Sequence, residues 1–234
     1  MSVIKFYQSF EKIELLHEPP KPADKNIPDW YKGQGSALGE FGSTIKRCMP
    51  IFDAMTLGYT LTLPCDIYVD ATNPEKLEYF AAPNPSLADL EKELFASHLK
   101  DQYSNYPIDP EVAHKEIIRI HPLYSVGTDK GYSCLFTSPI HGDLSPLKVF
   151  SAVIDTDVYI SDGHFSFTVR KGFKGIIKQG TPLVQVIPFK REVFTSEVVP
   201  FLDGEQKLIN QAIRISSSFV NRYKNKFRIK KEYK

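Results

Sequence analysis

Cysteine is scarce: Cys48, Cys65 and Cys134 are the only three in 234 residues. Odd in number and far apart, they make no disulfide framework and fit reduced, buried thiols in a cytoplasm. Excess charge is missing as well. Lys and Arg total 29 against 28 Asp and Glu, a formal net charge of +1, whereas a general nucleic-acid binder carries a strong basic surplus. No apolar run approaches the roughly 20 residues of a membrane span. The opening MSVIKFYQSF has a single Lys and no small-residue cleavage site, so no secretory leader is expected. Gly-x-Ser-x-Gly is absent. The superficially similar Gly33-Gln34-Gly35-Ser36 is not set between a strand and a helix, which excludes it as a phosphate cradle. No internal repeat is visible. These absences leave a soluble intracellular globular protein, long enough for one sizeable core.

Aromatics, by contrast, are plentiful: 16 Phe and 12 Tyr suit the packing of sheets. The clearest pattern runs from 149 to 191, with apolar runs at 149–154, 165–169 and 183–189. Phe165, Phe167 and Val169 alternate with Ser166 and Thr168, the two-residue period of a strand with one buried face. Gly163, Gly172 and Gly175 separate the runs, and Pro182 stands where a strand can begin. The spacing predicts a mainly β (α+β) single domain: an antiparallel jelly-roll-like or β-clip-like core with a helical insertion and a C-terminal helix. Its parts read as an N-terminal arm at 1–48, a β core at 49–70 and 117–201, an insertion at 71–116, a helix at 202–226 and a basic tail at 227–234.

Within the arm, prolines keep 21–31 extended, and Trp30, the only tryptophan, pins it to the body together with Tyr31. The glycine-rich stretch 33–42 reads as a flexible loop. Within the insertion, Ser86-Leu87-Ala88-Asp89 has the form of a capping box, and Leu87, Leu90, Leu94 and Phe95 follow at helical spacing. That predicts a helix near 86–99, in a segment that reads as a lid or packing flap. Leu208, Ile209, Ala212, Ile215, Phe219 and Tyr223 give the last helix one apolar face. The basic end beyond it reads as a solvated tail complementing the helix C-terminus.

Candidate chemistry starts at Asp155 and Asp157, two residues apart in VIDTD. On a strand they would share one face, where paired carboxylates can polarise a water and serve catalysis; the plainer reading sets them at a strand end facing solvent. His141-Gly142-Asp143 with His164 mimics the His-x-Asp plus distal His of an iron(II) facial triad. About twenty residues between the halves are too few to travel round a double-stranded β-helix, so no metal site is expected. His121, His141 and Asp143 lie in polar loops as ligand-binding candidates. His98 and His114 lack partners at helical spacing and carry no metal signature. No nucleophile–base constellation shows in the sequence. Lys46 and Arg47 beside Cys48 would lower a thiol pKa, though a buried structural thiol explains that cysteine as well.

The segment Ile27-Pro28-Asp29-Trp30-Tyr31-Lys32, then Thr44-Ile45-Lys46-Arg47-Cys48-Met49-Pro50-Ile51-Phe52-Asp53-Ala54-Met55-Thr56-Leu57-Gly58-Tyr59, resembles a family of uncharacterised proteins. These occur in tailed bacteriophages, notably cyanophages, and in some bacteria. Thr137-Ser138-Pro139, Asp155-Thr156-Asp157 and Gly180-Thr181-Pro182 resemble that family's second half, while Met49 stands where its pattern has proline. The likeness implies a viral or bacterial source, with the cytoplasm of an infected host or the virion as location, and no reaction.

The order Gly58-Tyr59-Thr60-Leu61, Val153-Ile154-Asp155-Thr156-Asp157, Gly180-Thr181-Pro182-Leu183-Val184-Gln185 is similar to three motifs of the deoxyuridine triphosphatase and deoxycytidine triphosphate deaminase superfamily. That likeness implies that Asp155 activates water and that Tyr59 receives the sugar, with Gln185 a further ligand-binding candidate. Val158-Tyr159-Ile160 replaces the superfamily's Tyr-Arg-Gly, and no Arg-Ser-Ser loop occurs near residue 140. The phosphate donors such chemistry needs are therefore not in their expected places. Two function classes stay open: a non-enzymatic binding or assembly protein with a phage or host protein as partner, and a nucleotide-binding hydrolase relative. An iron(II)-dependent oxygenase-like β-helix protein is a third. No cofactor is named by the residues, and strand edges leave room for a homo-oligomer.

Overall fold

The computed structural model describes residues 2–11, 13, 17–38, 42–81, 94–143, 145–160, 163–198, 204–219 and 223–234. In chain order the strands are β1 Ile4–Gln8, β2 Lys21–Pro22, β3 Ala37–Leu38, β4 Gly42–Ser43, β5 Tyr59–Thr62, β6 Ile67–Asp70, β7 Glu78–Ala81 and β8 Phe95–Ser97. They continue with β9 Ala113–Ile120, β10 Tyr124–Thr128, β11 Tyr132–Thr137, β12 Leu147–Val149, β13 Ala152–Ile154, β14 Phe165–Arg170, β15 Lys174–Ile177 and β16 Pro182–Lys190. The helices are α1 Asp29–Gly33, α2 Met49–Met55 and α3 Gly204–Phe219.

Every pairing among the described residues is antiparallel. A five-stranded sheet runs β13-β11-β16-β5-β2 and a four-stranded sheet β12-β14-β9-β8; a three-stranded sheet, β15-β6-β7, and two ribbons, β1-β10 and β3-β4, complete the set. The mainly β, α+β class read from the alternation is the class observed.

One hydrophobic cluster joins the sheets. Leu61, Cys134, Phe136, Val184 and Val186 come from the five-stranded sheet, and Ile118, Ile120, Leu147, Val149, Phe167 and Val169 from the four-stranded one. The rings of Phe136 and Phe165 meet across the layers at 5.2 Å. The alternation of β14 is kept, with Phe167 and Val169 inward and the polar residues on the other face. In β16 it is not: Leu183, Val184, Gln185, Val186 and Ile187 are all buried. Its second face is covered by the α2 segment, to which Gln185 donates at the carbonyls of Ala54 (3.0 Å) and Leu57 (2.6 Å). Gly58 makes that close approach possible: its φ is +74°, and an added Cβ would lie 2.0 Å from the Val186 carbonyl oxygen.

Several sequence expectations change in detail. The apolar run 149–154 is two strands in different sheets, β12 pairing with β14 and β13 with β11, so the chain changes layer at Phe150 and Ser151. Residues 21–31 are not extended throughout; a 3-10 turn at Ala23–Asn26 and α1 follow Pro22 and Pro28, because a proline fits just ahead of a helical turn as readily as in an extended arm. Ala37–Leu38 and Gly42–Ser43 pair as a short ribbon inside the glycine-rich loop. Of the helix expected near 86–99, residues 86–93, with their capping box, lie outside the described residues, and 95–97 form β8, paired to β9. Leu94 is helical and fully buried, so the expected helix keeps that position, while from Phe95 on the pairing with β9 overrides helical spacing. The tail is not solvated throughout either, as the next section shows. No described helix is long and apolar enough to cross a membrane.

Candidate functional site

A concavity lined by cations alone among its charged residues is built by the segment 27–59, the same residues that carry the phage-family likeness, together with the C-terminal segment. Thr44 opens a 3-10 turn at Ile45–Arg47: its hydroxyl accepts from the Lys46 amide and donates to the Gly35 carbonyl. That turn feeds α2, with Pro50 in its first turn, where a missing amide hydrogen costs nothing. Tyr31, 4% exposed, donates its hydroxyl to the Lys46 carbonyl at 3.1 Å and lies 5.7 Å from the Phe52 ring. Trp30 stacks edge-on against Tyr31 at 5.5 Å and donates its indole N–H to the His141 carbonyl at 2.9 Å. The expected pinning of the arm by these two aromatics thus has a geometry.

Over this floor stand cations. Lys46 Nζ lies 5.7 Å from the Tyr31 centroid and donates to the Lys32 carbonyl; the Arg228 guanidinium lies 5.5 Å from Phe52. With Arg47, Lys224, Ser36 and Met49 they line a cleft of about 620 Å³ that has no carboxylate in its lining, a volume within the range of small-ligand pockets. Arg228 is fixed from behind. Its Nε and Nη2 donate to Asp53 Oδ1 at 2.9 and 2.6 Å, and Lys231 Nζ donates to Oδ2 at 3.1 Å. Burial pushes the Asp53 carboxyl up, but the hydrogen bonds from Arg228 and Lys231 outweigh it and hold the group below the ordinary carboxylate range. Farther along, Tyr233 packs edge-on to Tyr59 at 5.6 Å, and the Tyr59 hydroxyl donates to the Lys234 carbonyl. The basic tail is docked, not free, because a buried carboxylate and two aromatics receive it.

The residues singled out in the sequence lie elsewhere and do not share one pocket. Asp155 and Asp157 sit in a turn after β13, where Val158 and Tyr159 amides donate to the Asp155 carbonyl. Arg191 draws both carboxylates together, reaching Asp157 at 2.8 and 2.5 Å and Asp155 at 3.2 Å. Asp157 also accepts from the Gly131 amide, and Asp155 from Ser133 Oγ. Hydrogen bonds from Arg191, then from Gly131, bring the Asp157 carboxyl down to about 2. Tyr59 borders a cavity of about 350 Å³ with Thr128, Tyr132 and Tyr233, and neither aspartate lines it.

Gln185 is buried and satisfied, its Oε1 accepting from the Ile140 amide at 2.8 Å. His121 is buried, accepts from the Leu123 amide and meets His164 edge-on at 5.4 Å. His141 is in a turn with φ +53°, and Asp143 accepts weakly from the Asp29 amide at 3.5 Å. His164 therefore packs on His121 while His141 and Asp143 face α1. Among the described residues no three His, Cys, Asp or Glu side chains gather where one metal ion could bind. His141, Asp143 and His164 thus form no such group.

No family model, curated protein or solved structure matches the chain.

Sequence reasoning did not bring the cleft together. Its signals were Lys46-Arg47 and the basic tail, but Asp53 and Arg228 are 175 residues apart, and no local spacing joins them.

Proposed function

We propose that the protein is a binding protein whose ligand is a small anion of the nucleotide class, its phosphate held by the cations Lys46, Arg47, Lys224 and Arg228 that stand over Tyr31 and Phe52. The observation that carries this reading is the cleft itself: Lys46, Arg47, Lys224 and Arg228 around an aromatic floor, with no carboxylate in the lining. Cations supply phosphate with charge-assisted hydrogen bonds, and a guanidinium plane backed by an aromatic ring, as Arg228 is by Phe52, accepts a base by stacking. Binding without hydrolysis is supported by the Asp155–Asp157 turn, whose carboxylates are engaged by Arg191 and so are poorly placed to activate water. With the likeness of residues 27–59, this is a phage-type binding or assembly protein, at work in an infected bacterial cell or in the virion.

Trp30, against Tyr31, offers the readout. Its fluorescence should change saturably on titration with nucleoside mono-, di- or triphosphates, and much less with nucleosides or inorganic phosphate alone. Lys46→Glu with Arg47→Glu should weaken binding by about tenfold or more, the loss of one or two charged hydrogen bonds. No saturable change with any nucleotide, with or without magnesium, would refute the proposal. Phosphate release abolished by Asp155→Ala would replace it with the hydrolase reading.

A further inference from the structure

The outer face of the four-stranded sheet carries a second polar constellation, distant in sequence from the cleft. Ser166 in β14 lies directly opposite Arg119 in β9, which lies opposite Ala96 in β8; His98 follows two residues after Ala96, on the same face. His98 Nε2 is 2.9 Å from Ser166 Oγ, and His98 Nδ1 is 2.8 Å from Gln102 Oε1. The Tyr103 hydroxyl is 3.2 Å from Ser166 Oγ.

The proton positions follow from one donor that has no choice. The Leu99 amide donates to Gln102 Oε1 at 3.1 Å, which sets the amide's orientation, since a backbone N–H cannot meet an NH₂. Gln102 therefore offers an oxygen to His98 Nδ1, so Nδ1 carries a hydrogen and, in the neutral ring, Nε2 the lone pair. In that form Ser166 donates to His98, and Tyr103 donates to Ser166. A serine hydroxyl donating to a neutral imidazole, itself oriented by a third group, is the arrangement of an activated nucleophile.

Two further observations point to a ligand. Arg119 Nε is buried with no hydrogen-bond partner among the described residues, one rung across from Ser166. His98 and Tyr103, the two side chains within hydrogen-bond distance of Ser166 Oγ, both line a cavity of about 420 Å³ whose other walls include Leu77, Tyr79, Tyr106 and Ile108, with Ser166 set behind them and outside its lining. Its charged members are engaged: Glu116 accepts from the Leu77 amide and Lys115 pairs with Glu75. The covering segment is held by stacking of Tyr106 on Phe150 at 4.2 Å.

We infer that Ser166, His98 and Gln102 form a hydrolytic site for uncharged esters of short apolar or aryl acyl groups. Ser166 Oγ forms a bond to the ester carbonyl carbon while its proton passes to His98 Nε2. Collapse of the adduct breaks the carbon–alkoxide bond, and the same proton leaves on the alcohol. Water then repeats the sequence on the acyl-serine and releases the acid; nothing is oxidised or reduced. Charge developing on the carbonyl oxygen is met by the Tyr103 hydroxyl, which lines the cavity and lies 3.2 Å from Ser166 Oγ. Gln102 is a positioning residue.

The test uses the full chain with p-nitrophenyl butyrate and a fluorophosphonate probe followed by intact mass. The wild type should gain one phosphonyl adduct on Ser166. Ser166→Ala and His98→Gln should each lower ester turnover on the order of a hundredfold or more. Gln102→Glu, at an exposed site where folding is not at stake, should move the acid limb of the rate profile to higher pH, since a carboxylate beside Nδ1 favours the imidazolium. No adduct on the wild type, an adduct kept by Ser166→Ala, or an unmoved pH limb in Gln102→Glu would each overturn the assignment. Nucleotide binding at the basic cleft stands or falls separately.

Discussion

Asp53–Arg228 and Asp157–Arg191 are the same ion pair put to opposite uses. Asp53 and Arg228 are both largely buried, their side chains 9% and 14% exposed, and lie 175 residues apart. The Asp157 side chain is 2% exposed but that of its partner Arg191 is 37% exposed, and only 34 residues separate them. The first pair holds a distant segment against α2 and so completes a cleft; the second closes a local corner between β13 and the end of β16. A guanidinium half in water is screened and adds little to stability, whereas a buried one that loses its carboxylate is left without compensation. Only the first pair should therefore control both stability and a site.

The largest effect is expected beneath the first pair. Gly58→Ala sets a methyl against the Val186 carbonyl oxygen, where an ideal Cβ would lie 2.0 Å away. Either α2 or β16 must move, and a loss of about 4 kcal/mol or more is expected. Denaturant unfolding would measure it, and a variant as stable as the wild type would mean that the close approach of Gly58 to β16 is not required. Asp53→Ala comes next. It strands Arg228 and Lys231 and should cost about 3 kcal/mol, with proteolysis or hydrogen exchange at 223–234 rising sharply. Nucleotide affinity should fall too, because Arg228 and Lys224 leave the cleft; an unchanged affinity would detach the tail from the site.

How much of this was legible in the sequence can be judged residue by residue. The alternation of Phe165, Phe167 and Val169 identified a strand and its buried face, because a period of two survives wherever one face meets solvent. β16 hid its environment, since a strand covered on both sides reads only as an apolar run, and Gln185 in its middle gives no hint that it serves carbonyls of α2. Phe95 reads as helix because its spacing suits either structure, and pairing with β9 decided it, whereas Leu94 one residue earlier is helical as its spacing implies. The sites were less legible still. Ser166 looked like the polar half of an alternating strand, and nothing local ties it to His98, 68 residues earlier. Arg228 looked like tail. Contacts at such separations are properties of topology, which composition and period do not encode.

Acid separates the two corners with one sign and different consequences. Asp53 and Asp157 both have folded values below the ordinary carboxylate pKa of about 3.9. Each pair's contribution is thus fully present above that value and drains away as pH falls through the folded one, because the unfolded chain takes up the proton first. For Asp157 the window runs from about 4 down to about 2. Hydrogen exchange at 223–234 should quicken within the acid range, and Trp30 should lose its nucleotide response with it, since Asp53 holds the cleft's Arg228.

The smallest effect is expected at Arg191→Lys. A lysine keeps the charge beside Asp157 but cannot donate in parallel to both its oxygens, nor bridge to Asp155 and the Tyr132 carbonyl as the fork of Arg191 does. The corner should loosen locally, with faster exchange at the Gly131 amide and a higher carboxyl pKa for Asp157 by NMR, while nucleotide affinity and tail protection stay as they are. Cleft binding that fell along with the corner would join the two pairs into one unit and undo the contrast between them.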